Sequence, residues 1–161
     1  MAITVRRAEP RDAGTISSMV QALGVVMQNP EFDLNVEVVL RDGFGPEPWF
    51  TGFVAERDGS PLGIVVAQRG YAVDRGSRGL YINALYVEAE ARGQGVGRAL
   101  MCAVAEQARA VGGQWIAWDV GVENAPAKRF YDRLGARYLD EVVMMVLQGE
   151  ALEALKPGGA P

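Results

Sequence analysis

The chain has 161 residues, enough for one domain with a real core and too few for two ordinary ones. Its 49% hydrophobic and 22% charged residues are those of a soluble globular protein, and a formal net charge of −4 argues against nucleic-acid binding as the main role. With no histidine and one cysteine, Cys102, it lacks a disulfide framework, an ordinary metal site and the residues for Ser-His-Asp or Cys-His catalysis, so any acid or base is Asp, Glu, Tyr, Lys, Cys or water.

Ile3 and Val5 alternate as in a short strand, and Arg11–Leu23 reads as a helix with Ile16, Val20 and Leu23 on one face. A shorter helix is predicted around Leu34–Leu40, followed by loop chemistry from Asp42 to Pro48. Phe50–Arg57 and Pro61–Tyr71 are two strands joined at Asp58-Gly59, a strong hairpin signal. Leu80–Val87 is a nearly all-apolar strand, the pattern of a strand covered on both faces. From Gly95 to Ala110 a helix carries Val96, Leu100, Val104 and Ala108 at four-residue spacing, and Gly112-Gly113 ends it. Trp115–Val120 is a fifth strand. Asn124 then sits where a helix N-cap belongs, with Pro126 in the first turn and Gly135 at the far end. Arg137–Leu139 and Val142–Leu147 read as further strands, Gly149–Leu155 as a last helical turn, and 156–161 as a flexible tail. These elements predict one α/β domain over 1–155, with a mixed, mostly antiparallel sheet. No apolar stretch has signal-peptide or membrane-spanning character, so a cytoplasmic protein is expected.

The chemistry concentrates in 79–97, where a strand runs into a glycine-dense turn and a helix follows at once. Glycines there expose backbone N–H groups at a helix N-terminus, a ready site for phosphate oxygens, and Arg92 adds a planar cation. A P-loop needs Gly-Lys-Ser/Thr, but Gly97 is followed by Arg98-Ala99. A dinucleotide fingerprint needs Gly-x-Gly-x-x-Gly opening a parallel βαβ unit, whereas this turn is Gly93-x-Gly95-x-Gly97 and follows a hairpin.

Arg92, Gly95 and Gly97 fit Arg/Gln-x-x-Gly-x-Gly/Ala, which resembles the acetyl-coenzyme-A motif of the GNAT N-acetyltransferase superfamily. Asn124-Ala-Pro-Ala-Lys-Arg-Phe130-Tyr131-Asp-Arg-Leu134-Gly135-Ala136 is similar to that family's Asn-x-x-Ala-x-x-Phe-Tyr-x-x-x-Gly helix, in the expected order. The opening strand with Arg6, Ala8 and Asp12 fits as well, so the resemblance covers essentially the whole chain. Leu85-Tyr86-Val87, the Phe130-Tyr131 pair and the C-terminal pattern are more narrowly similar to the diamine/polyamine and thialysine acetyltransferase branch.

The resemblance implies the GNAT fold, with about seven strands flanked by about four helices, and direct transfer of acetyl from acetyl-coenzyme A to an amine in a ternary complex. It implies cofactor contacts from Leu85, Tyr86, Val87, Arg92, Gly93, Gln94, Gly95, Val96, Gly97, Arg98, Asn124, Phe130 and Tyr131, with no metal. It further implies an oxyanion donor at the Tyr86 N–H and Tyr131 as the acid for the leaving thiolate. The branch carries a Glu at the position held here by Asn83, which cannot act as a base. Glu56, Asp119, Glu88 or a water chain are the alternatives for that proton. Glu31, Asp33 and Glu37 fall where the family recognises acceptors and would attract a cation. Met144 and Met145 read as strand residues at a subunit contact, in keeping with homodimers in the family. A small amine is the expected acceptor, with a protein lysine or N-terminus, or a non-catalytic acyl-coenzyme-A module, as alternatives. No nucleic-acid or membrane partner is expected.

Overall fold

The computed structural model describes residues 2–155, and the chain divides into two compact units, Met1–Gly121 and Val122–Pro161. In the first unit β1 (Thr4–Arg7) leads through a short 3-10 turn at Pro10–Asp12 into α1 (Ala13–Met27). There follow α2 (Val36–Phe44), β2 (Thr51–Arg57), β3 (Ser60–Ala72), β4 (Ser77–Val87), α3 (Val96–Ala110) and β5 (Gly113–Trp118). The second unit holds α4 (Ala125–Asp132) and α5 (Glu150–Ala154). No helix of the described residues is long and apolar enough to cross a membrane.

The sheet runs β1-β2-β3-β4-β5, antiparallel through β4, with β5 parallel to β4. The β2–β3 turn places Asp58 and Gly59 at φ 53° and 78°, the paired left-handed conformation that matches strand twist in a two-residue hairpin. α1 stops where Gln28 turns left-handed, at φ 53°. α2 starts where the Asn35 side chain accepts the Val38 N–H at 2.9 Å.

Two layers of side chains close over the sheet. On one face Ile16, Met19 and Val20 of α1 and Val39 of α2 pack with Val54, Ile64, Val66, Ala84 and Tyr86. On the other, α3 lays Val96, Leu100, Val104 and Ala108 against the strands. Each fully buried Leu or Ile among these contributes about 1.5–3 kcal/mol.

The strand count differs from the predicted seven: among the described residues the sheet has five strands. Arg137–Leu139 and Val142–Leu147 join no ladder among the described residues, and Val143 and Met145 are 85% and 89% exposed. Val142–Leu147 is an unbroken apolar run without alternation, so nothing in its pattern fixes a face or a register. The predicted tail, 156–161, lies outside the described residues.

Candidate active site

β4 is the spine of the site. Its register with β3 passes from Val66↔Ala84 to Ala67↔Ile82, leaving Asn83 as an extra, exposed residue in a β-bulge. The bulge reverses the faces. Ala84 and Tyr86 point into the α1 layer with Val66 and Ile64, while Ile82 pairs with Ala67 and turns to the α3 side.

The bulge is also where β4 and β5 part. Their pairing ends at Ile82↔Trp118, whereas β4 continues to Val87 on its β3 side. The Glu88 N–H donates to the Leu62 carbonyl at 2.9 Å. By the alternation of an antiparallel ladder, the Tyr86 N–H therefore points toward β3, and the backbone groups of Leu85 and Val87 point to the β5 side. The oxyanion donor expected at Tyr86 thus has its open-edge counterparts one residue to either side. The Tyr86 phenol is buried, donates to Glu88 at 3.3 Å, and is pushed above its ordinary pKa first by burial.

After a 3-10 turn at Ala89–Ala91 the glycine turn follows. Gly93 and Gly95 take φ 74° and 89°, conformations that glycine adopts without penalty, and Gly95 is the N-cap of α3. No side chain caps this helix, and Ala99 N–H to Gly95 O is its first turn's bond, so the N–H groups of Val96, Gly97 and Arg98 have no helical acceptor. A Cβ on Gly93 or Gly95 would meet nothing within 4 Å among the described residues, which leaves an open concavity before those donors. Val96 is buried and offers its backbone alone, whereas Gln94 and Arg98 are exposed. Arg92 folds back: its Nε donates to the Val87 carbonyl at 3.0 Å and its guanidinium lies 5.8 Å from the Tyr86 ring centre.

Arg57, absent from the sequence-based set, reaches this turn. Its Nη2 donates to Gln94 Oε1 at 2.9 Å, and Gln94 Nε2 donates to the Glu90 carbonyl at 2.6 Å. Arg57 Nε is buried without a hydrogen-bond partner among the described residues. A cation with an unspent donor, beside three unpaired N–H groups, fits a diphosphate-bearing ligand.

The proposed carboxylates fare differently. Glu56 accepts from Arg6 Nε at 3.1 Å and belongs to an ion cluster with Asp12. Glu88 stands beyond the end of β4, beside the Tyr86 hydroxyl. Asp119 follows β5 and accepts from the Tyr81 phenol, whose pKa is raised by burial and by that carboxylate. Of Glu31, Asp33 and Glu37, all exposed, Asp33 lines a groove of about 620 Å³ with Gln21, Val25 and Phe32 at the end of α1.

Trp115 lies over Gly70 and Gly79, where a Cβ would collide with its ring, and its Nε1 donates to the Ser77 carbonyl at 3.3 Å. Cys102 is exposed on α3 rather than in the core.

In the second unit Asn124 caps α4, its side chain accepting the Ala127 N–H at 3.2 Å. Phe130 and Tyr131 stack at a tilt, ring centres 5.1 Å apart. Burial raises the Tyr131 pKa above that of an ordinary phenol, which is itself protonated at neutral pH.

Residues 19–136 match the model of the acetyltransferase (GNAT) family. The chain is 32% identical over 165 residues to a thialysine N-epsilon-acetyltransferase of Sus scrofa, covering 95% of this chain and 96% of that one. It is 30% identical over 129 residues to an L-ornithine N5-acetyltransferase of Arabidopsis thaliana, covering 80% of this chain and 54% of that one. In structure it is similar to an integron cassette protein from the mobile metagenome of V. cholerae, with TM-score 0.77 and 19% identity over 95% of this chain and 96% of that one, a likeness of fold.

Proposed function

The chain belongs to the GNAT acetyltransferase family and is an N-acetyltransferase, and on that premise we propose that it moves acetyl from acetyl-coenzyme A to a small-molecule amine by direct attack in a ternary complex. The observation that carries the cofactor half is the uncapped α3 N-terminus: three N–H groups without acceptors behind two left-handed glycines. These donors, with Arg57 and Arg98 beside them, hold the pyrophosphate. Arg92 acts by bracing the strand end from which the turn departs. Bound there, acetyl-coenzyme A supplies an activated acyl group as a thioester.

The outward backbone groups of Leu85 and Val87 line the pantetheine arm, and one of their two N–H groups, beside Tyr86, stabilises charge on the thioester oxygen. A donor aimed at that oxygen is worth about 10²–10³ in rate. Tyr131, protonated at neutral pH as any phenol is and pushed further up by burial, gives its proton to the departing sulfur. Asn124 holds the helix that carries Tyr131 and Phe130. The family match crosses the boundary between the two units, which supports one acetyltransferase domain over 1–155.

The small acceptor rests on relatives named for thialysine and ornithine, both free amines. The test is mass spectrometry of products after incubation with acetyl-coenzyme A and thialysine, ornithine, lysine, a linear diamine, or peptides with a free N-terminus or lysine. Acetylated small amine at a kcat/KM at least tenfold above every peptide is the expected result. Faster peptide acetylation would overturn the small-amine reading. Cofactor binding without any acetylated product would overturn transfer itself.

A further inference from the structure

We propose that Arg57 sets which acyl donor the site accepts. It pairs with a second phosphoryl group, so free coenzyme A thioesters, which carry a diphosphate, are selected over pantetheine thioesters with a single phosphate, as on a carrier protein. This selection rests on the cofactor reading above, in which the uncapped N-terminus of α3 meets the diphosphate.

Placement is its first support. Val54 and Glu56 of β2 face the α1 layer, Val54 within its core and Glu56 on Arg6. By strand alternation Arg57 falls with Phe53 and Ala55 on the opposite face, the one covered by α3. Asp58-Gly59 turns the chain back directly after it, and the start of β3 pairs with the end of β4 at Gly63↔Val87. The β2–β3 turn and the glycine turn therefore lie at the same end of the sheet, within reach of one long side chain. Arg57 Nη2 donates to Gln94 Oε1 at 2.9 Å, and Gln94 stands between the two left-handed glycines, Gly93 and Gly95.

Unspent donors are the second support. Among the described residues Arg57 Nε is the one buried side-chain nitrogen or oxygen without a hydrogen-bond partner. Such a donor is rare in a native fold and costly to leave unpaired. Nor does any ion pair among the described residues include Arg57, whose tie to Gln94 is to a neutral amide. Arg6, on the next strand, is by contrast spent on Asp12 and Glu56, and the Nε of Arg92 on the Val87 carbonyl. Arg57 is thus a cation held at the turn with its charge and part of its fork on offer, the match for phosphoryl oxygens. The N–H groups of Val96, Gly97 and Arg98 can satisfy one phosphoryl group by themselves. A diphosphate brings further oxygens and further charge, and these fall to Arg57.

The experiment is calorimetry of wild type, Arg57→Ala, Arg57→Lys and Gln94→Ala with three donors. They are acetyl-coenzyme A, acetyl-dephospho-coenzyme A, which keeps the diphosphate and lacks the 3′-phosphate, and S-acetyl-4′-phosphopantetheine, which has one phosphate and is measured by displacing acetyl-coenzyme A. Arg57→Ala should lose about three- to tenfold in affinity for both diphosphate donors and stay within about twofold for the phosphopantetheine donor. Arg57→Lys, which keeps the charge but not the fork, should fall between wild type and Arg57→Ala. Gln94→Ala should keep the wild-type preference for two phosphoryl groups, because it leaves the guanidinium in place. An equal loss for all three donors, or the same loss of preference in Gln94→Ala, would overturn the proposal and make Arg57 a support of the turn. A loss confined to acetyl-coenzyme A would overturn it in favour of the 3′-phosphate, and unchanged affinities in Arg57→Ala would overturn it outright. A folded wild type that binds no acetyl-coenzyme A fails the cofactor reading instead.

Discussion

At the β1–β2 edge of the sheet, Arg6 donates to both oxygens of Asp12 at 2.7 and 2.8 Å and to Glu56 at 3.1 Å; at the β4–β5 edge, Asp119 accepts from the neutral phenol of Tyr81. The guanidinium cancels charge as it binds. It holds Asp12 well below the usual carboxylate range, and its own pKa is raised in return. Asp12 is buried and also accepts the Glu9 N–H at 2.8 Å, so the cluster fastens β1 to the start of α1 and to β2. A phenol orients a carboxylate and leaves its charge available. On one sheet a carboxylate is thus neutralised by a guanidinium at one edge and held by an uncharged phenol at the other.

Variants at the braced edge should move stability and leave chemistry alone. Asp12→Ala leaves Arg6 with Glu56 alone and the Glu9 N–H without its acceptor, and should cost about 1–3 kcal/mol, read as a lower midpoint in urea, with kcat of the folded fraction unchanged. A matching fall in kcat would break the contrast. Because the folded-state pKa of Asp12 is depressed, its stabilisation is complete above its ordinary 3.8 and disappears as pH falls through the lower folded value. Acid unfolding of wild type should show that loss below pH 3.8, and Asp12→Asn should lack it.

Tyr131→Phe extends the comparison to a phenol whose pKa burial raises. It should lower kcat about tenfold or more, with unchanged acetyl-coenzyme A affinity. Since the Tyr131 pKa is raised, the high-pH limb of wild-type kcat should fall above pH 10 and vanish from the variant. Full activity in Tyr131→Phe would return the residue to a packing role.

Gly79→Ala probes the paired part of the β4–β5 seam, where Trp115 lies against the glycine backbone. The added methyl should cost about 1–3 kcal/mol by overpacking, measured by thermal unfolding; an unchanged midpoint would mean the indole yields freely. Arg57→Ala should have the smallest effect, weakening acetyl-coenzyme A binding by about three- to tenfold without altering kcat at saturation. Unaltered affinity would leave Arg57 as a tie to Gln94.

The legible parts of this molecule are those specified within a few residues. Asp58-Gly59 forms its turn, Asn124 caps its helix, and Gly93 and Gly95 form a turn before the helix at the predicted place. The bulge at Asn83 was hidden because it exists only in register with β3. Arg57 with Gln94, and Tyr81 with Asp119, are 37 and 38 residues apart, and no local pattern announces which strand ends meet. Cys102 lies on the exposed side of α3, since a small apolar residue fits either face of a helix. Val142–Leu147 has strand composition, but a ladder needs a partner as well as a propensity.

The central claim is that the glycine turn holds acetyl-coenzyme A, and calorimetric titration of wild type and Gly95→Glu tests it most directly. The variant places a carboxylate in the open space before the unpaired N–H groups of α3. Saturable wild-type binding, weakened at least about 100-fold in a folded Gly95→Glu protein, is predicted from opposed charge and lost donors. Equal affinity in the two proteins, or no binding by folded wild type, would contradict it.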